Sequence, residues 1–145
     1  MNRILSVVAA AAMSALLGGC NRAEPPAEVS QDVTQAQAER AEAVQDARID
    51  QAQVAADTSA DAVSANPDDR GAAIEDRAEA AYNTKLATAK GDHEIAQQGC
   101  EALQGDAQAA CKKSADAAYE AAKSQARLAL SAERERGDAT KQLDN

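Results

Sequence analysis

The stretch "GCEALQGDAQAAC", residues 99–111, decides the fold. It places Cys100 and Cys111 on either side of Gly105-Asp106. Glycine just past a helix end and aspartate at the start of the next make a stop-and-start signal, so the stretch reads as the tip of an antiparallel helical hairpin. A register that sets Cys100 opposite Cys111 also sets Ala96 opposite Ala115, His93 opposite Ala118, Ala89 opposite Ala122 and Tyr82 opposite Ala129. These positions recur in steps of three and four on both helices, as one buried stripe should. Small residues along the seam let the helices approach closely, which suits the short Cα separation a disulfide needs. In an oxidising compartment the two cysteines are expected to bond. Closing that loop is worth about 3 kcal/mol in the chain-entropy model.

Two sharper readings of the pair are set aside on chemistry. Catalytic dithiols favour C-x-x-C at a helix N-terminus, where the thiolate is stabilised, and ten residues across a hairpin tip do not resemble that. His93 shares the Cys100 stripe and could complete a three-ligand set with Cys111. Structural zinc wants four ligands at short spacings, and oxidised cysteines cannot ligate, so no metal and no cofactor is expected.

Working outward, the composition explains why a staple is needed. About a quarter of the 145 residues are Ala, Phe and Trp are absent, and Tyr82 and Tyr119 are the aromatics. Alanine is the best helix former but buries little surface. Long helices packed through small residues are expected, not a conventional globular core. The net charge of −9 argues against nucleic acid, whose binding rests on neutralising phosphates. No nucleophile–base–orienter set and no phosphate loop is present, so an enzyme is not expected. Arg136-Gly137-Asp138 spells an integrin-type tripeptide, a three-residue match of the kind chance supplies.

Along the chain, residues 20–29 carry Pro25 and Pro26 and read as an anchor and extended tether. Ser30 is a candidate N-cap for an Ala- and Gln-rich helix over 30–65. Residues 33–65 divide into three elevens beginning at Val33, Val44 and Ala55, each acidic at its seventh position (Glu39, Asp50, Asp61). That period would give a nearly straight stripe on a long helix. Asn66 as cap, Pro67 at the first helical position and Asp68-Asp69 behind it restart the chain into the hairpin over 66–136. Gly91-Asp92 is expected to weaken its first arm in the middle, bending it or breaking it in two, and 137–145 to fray.

Residues 28–69 carry a net −8, whereas residues 111–136 carry a net +2. The first helix is therefore expected either to fold back on the third or to project as a stalk. The fold class is all-α: a long Ala-rich helix plus a disulfide-clipped hairpin, arranged as a three-helix bundle or a coiled coil.

The other end of the chain speaks to compartment. Arg3 precedes an apolar run from Ile4 to Leu17, too short to span a bilayer comfortably but suited to a signal peptide over 1–19. It ends in Leu17-Gly18-Gly19-Cys20, which resembles a bacterial lipobox. The resemblance implies a diacylglycerol on the Cys20 thiol, cleavage before Cys20 and a further acyl chain, hence a stable lipid anchor. Asn21 stands where Asp favours inner-membrane retention in enterobacterial lipoproteins, so the resemblance implies the outer membrane, facing the periplasm. Losing Arg3 with the leader would take the side-chain charge from −9 to −10.

Residues 78–130 also resemble a loose group of small Ala-rich proteobacterial envelope proteins, often labelled TolA-like. The matching positions are Tyr82, Cys100, Leu103, Gly105, Ala107, Cys111, Tyr119 and Ala121-Ala122-Lys123. This likeness brings no activity with it. In general style the chain is similar to murein-type lipoproteins, but Asp144-Asn145 stand where that family carries its attaching lysine, so the covalent linkage is not expected.

The functional expectation is a non-enzymatic structural or interaction lipoprotein of the cell envelope. Its partners would be the membrane through Cys20, further copies of itself, or peptidoglycan or another envelope protein. The alternative is a stress-protective amphipathic helix that coats membranes or client proteins.

Overall fold

The structure is a computed structural model that describes residues 23–142. Residues 1–22, which include the expected signal peptide over 1–19 and Cys20, and residues 143–145 lie outside the described residues. Three helices follow in order: α1 (Pro26–Asp57), α2 (Pro67–Cys100) and α3 (Gly105–Lys141), with a single 3₁₀ turn at Asp61–Val63. The fold is all-α, and α2 is its middle member. Both α1 and α3 pack against α2, while no Cα of α1 lies within 8 Å of a Cα of α3. The first helix thus takes neither option that its charge suggested. It folds back, but onto α2.

This order follows from where α2 carries its small residues. Gly71, Ala78, Ala89 and Cys100 are buried, spaced seven, eleven and eleven apart. Ala73, Ala80 and Gly91 are buried at spacings of seven and eleven. At 100° per residue each set forms a stripe, and the two stripes lie on nearly opposite sides of the helix. The first stripe meets α3: Gly71 abuts Gly137, and Cys100 bonds Cys111. The second meets α1, with Gly91 beneath the stem of Arg40. One helix with two close-packing faces holds three in a layer.

Local chemistry sets the ends. Pro25 is extended (φ −55°, ψ 138°) and Pro26 takes the first helical position, where its missing N–H costs nothing. The tether therefore ends sooner than expected. Ser30 lies inside α1, where its carbonyl accepts from Thr34 Oγ1 at 2.7 Å. The α1 stripe facing α2 is Val29, Ala36 and Val44, all buried.

At the other end α1 stops at Asp57, before the expected residue 65, so the third eleven straddles a helix end. The last turn of α1 has no basic residue of its own. Arg77 of α2 supplies one: Nη2 donates to the Ala55 carbonyl at 3.1 Å and the Thr58 carbonyl at 3.2 Å, and Nε to the buried Thr58 hydroxyl at 2.8 Å. A cation across the orphaned carbonyls is the favourable charge there. Arg77→Met is expected to cost about 1–2 kcal/mol in urea unfolding, because three charge-assisted bonds to Ala55 and the C-cap Thr58 are lost. A change below a few tenths of a kcal/mol would show that α1 ends there without Arg77.

The start of α2 matches its sequence signal: Asn66 Oδ1 accepts from the Asp68 N–H at 3.0 Å, and Pro67 follows the cap. The break expected at Gly91-Asp92 does not form, since α2 is continuous to Cys100. Nor do residues 137–141 fray. They are helical, and Gly137 is buried against Gly71. The Arg136-Gly137-Asp138 tripeptide accordingly sits within a helix, its glycine facing α2 rather than a partner.

Candidate functional site

The hairpin tip gathers the chemistry the sequence singled out. Cys100 and Cys111 form a disulfide with Cα atoms 5.7 Å apart, and Cys100 is completely buried. Beneath it Ala89, His93 and Ala96 of α2 and Ala115, Ala118 and Ala122 of α3 line one narrow groove, as the register expected from the sequence requires near the tip; at the far end Gly71 meets Gly137 rather than Thr140. Gly105 does not close α2, which ends at Cys100 with Glu101 as its C-cap; it is the first residue of α3, with φ 58°, the left-handed conformation that glycine adopts without strain. The cap expected from Asp106 is not made. Gln104 occupies the N-cap position, and Asp106 lies in the first turn at the positive helix end.

Glu101 is the residue on which the tip converges, and nothing in its sequence context distinguishes it. Its carboxylate accepts from Gln108 Nε2 at 2.7 Å and pairs with Lys112. Its carbonyl accepts from the Glu24 N–H at 3.0 Å. The segment before α1 is thereby tied to the end of the hairpin. Leu103, on the outside of the turn, is 39% exposed.

Glu24 Oε2 is buried with no hydrogen-bond partner. Burial holds its carboxyl above the ordinary value, and Glu101, Glu28 and Asp32 push the same way against Lys112. A carboxyl with a raised folded pKa binds its proton more tightly in the folded state. Its contribution favours folding in acid and declines as pH rises from the ordinary value through the raised one. Glu24→Gln, which mimics the protonated form, is expected to raise the melting temperature at pH 7 relative to the parent. At pH 4 the difference should shrink towards zero; an equal gain at both pH values would mean the charge is not what matters.

Two turns along, His93 has a settled environment. Its Nε2 bonds Asp116 Oδ1 at 2.7 Å, and Gln97 Nε2 donates to the same oxygen at 2.8 Å. The imidazole stacks on Tyr119 with centroids 4.9 Å apart, and Lys123 Nζ lies 4.8 Å from the Tyr119 ring centre. This is a clasp between α2 and α3, built from His93 and Gln97 on one turn and Asp116, Tyr119 and Lys123 opposite. The sequence singles out His93 but not its partners, although the hairpin register places Asp116 and Tyr119 near it. Among the described residues no group of three or more His, Cys, Asp or Glu is placed to hold a metal ion.

Three bases of α3 pair with acids on or beside α2, whereas Lys123 and Arg136 pair within α3 with Glu120 and Glu133. Besides Lys112 with Glu101, Arg134 pairs with Glu79 at 3.3 Å and Lys141 with Glu75 at 2.5 Å. The bond to Glu75 holds the Lys141 ammonium above its ordinary pKa. None of these pairs joins α3 to α1. No described helix is long and apolar enough to cross a membrane.

No protein family matches the chain, and neither a curated protein nor a solved structure is significantly similar to it.

Proposed function

We propose that this chain is a lipid-anchored, non-enzymatic lipoprotein of the outer membrane, a short helical rod with a structural or interaction role on the periplasmic side. The observation that carries the reading is the buried Cys100–Cys111 disulfide in a fold with so little core, since such bonds persist in oxidising compartments. It agrees with the leader and lipobox-like Leu17-Gly18-Gly19-Cys20 ahead of the helices. The likeness of residues 78–130 to small Ala-rich envelope proteins points the same way.

The docking of α1 favours a rod over a stress-protective helix that is unfolded in dilute solution. Arg40 Nε donates to Asp92 Oδ1 at 2.6 Å, and the Thr84 hydroxyl lies 2.9 Å from Gln51 Oε1 and 3.1 Å from the Ala47 carbonyl. These cross-helix bonds, with Arg77, hold α1 along most of α2. Cys20→Ala, or inhibition of the lipoprotein signal peptidase, is expected to leave an unprocessed precursor and to remove the mature form from the outer-membrane fraction. Unchanged processing and fractionation would sink the proposal.

A further inference from the structure

We infer that the disulfide-clipped tip rests on the bilayer, so that the rod stands on its hairpin end and presents the α1–α2 connection to the periplasm. This rests on the anchor reading above and adds to it a contact surface and a direction. The Glu24 N–H bond to the Glu101 carbonyl fixes the beginning of the described chain at the tip. Glu24 lies four chain steps from Cys20, at most about 14 Å of fully extended chain. A lipid held by Cys20 therefore cannot lie far from residues 101–104, whatever path the chain takes.

The surface there offers an apolar contact beside the acids Glu24 and Glu101. Leu103, 39% exposed, lies in the turn next to exposed Ala102. The tip is stiffened from behind by the disulfide and by the bonds of Gln108 and Lys112 to Glu101, so Leu103 is presented on a fixed support. The other large exposed apolar residues could not share one flat contact with it. Ile49 lies on the side of α1 away from α2, Leu128 on the side of α3 away from α2, and Val63 in the connection at the opposite end. With α2 34 residues long, Val63 stands about 50 Å from the tip.

The absence of tryptophan from the chain allows a direct test. Leu103→Trp, Ala102→Trp, Ile49→Trp and Val63→Trp would each be made in the full chain, purified with its acyl chains and reconstituted into phosphatidylcholine vesicles, with helicity checked for each. Brominated lipids are expected to quench the Leu103→Trp and Ala102→Trp emission at least threefold more than that of Val63→Trp, which should instead be quenched by aqueous acrylamide. Two exposed tip positions keep the test decisive if one variant folds poorly. Strongest quenching at Ile49→Trp would show a rod lying flat along α1, and no lipid quenching anywhere would show a tip held clear of the surface; either overturns the inference. Intact mass separates the two proposals. A chain without acyl mass on Cys20 overturns both, whereas an acylated chain with a silent tip overturns only this one.

Discussion

Removal of the Cys100–Cys111 bond, by reduction or by the double substitution Cys100→Ala/Cys111→Ala, is expected to lower the stability of the folded chain by about 3 kcal/mol. For a chain of this size that corresponds to a fall of about 10 °C in melting temperature. The effect is large because little else competes with it. The buried apolar residues are Val29, Val44, Cys100 and alanines, and a buried alanine methyl contributes on the order of 1 kcal/mol. The bond also orders its neighbourhood. With the tip loosened, Glu101 would no longer be held against Lys112 and Gln108, and the Glu24 tie to its carbonyl would go with it. Thermal melts followed at 222 nm, with and without reductant, measure the first effect. Amide exchange at Glu24 measures the second, and should accelerate on reduction even at temperatures where the helices remain formed. A loss below about 1 kcal/mol would mean that the alanine seam and the His93–Asp116 clasp already hold the hairpin closed.

The hairpin was legible because its signals are local or nearly so. Gly105 at the corner, Asn66-Pro67 at the restart and the three-four spacing of the seam each act within a few residues, and the cysteine pair fixes the register outright. What escaped depends on a partner helix. Gly91-Asp92 is read from the sequence as a break, because glycine weakens a helix and aspartate is a poor helix former. In the fold Gly91 leaves room for the stem of Arg40, and Asp92 receives its guanidinium, so the same two residues are where α1 docks. Pro25-Pro26 reads as tether by composition, yet proline at the first helical position starts α1. In the sequence the eleven-residue period reads most plainly in the first helix, where α1 ends within the third repeat. In the fold it is clearer in α2, in Ala78-Ala89-Cys100 and Ala80-Gly91, where two packing faces give it a purpose. The convergence on Glu101 could not be read at all, because a carboxylate between Cys and Ala carries no pattern until Glu24, Gln108 and Lys112 are brought to it.

The far end of the hairpin yields the second large effect. Gly71 and Gly137 face each other so closely that a Cβ on Gly137 would lie 2.9 Å from the Gly71 carbonyl oxygen, and a Cβ on Gly71 would lie 2.8 Å from the Gly137 oxygen. A backbone oxygen cannot step aside as a side chain can, so any larger residue must push α2 and α3 apart. Gly137→Leu is expected to cost about 2 kcal/mol, the usual range for overpacking a close contact, and to break the Lys141–Glu75 pair beside it. Helix propensity runs the other way, since replacing an interior glycine by alanine favours the helix by about 1 kcal/mol. Gly99 isolates that term: it is helical and exposed, and a Cβ there would meet nothing within 4 Å. Gly99→Ala is therefore expected to stabilise the chain by about 0.5–1 kcal/mol, while Gly137→Ala, the same chemical change, destabilises it. Urea unfolding of the two variants side by side reads the difference, with propensity cancelled and only the interhelical contact left. Equal shifts would mean that α2 and α3 are not pressed together at this end.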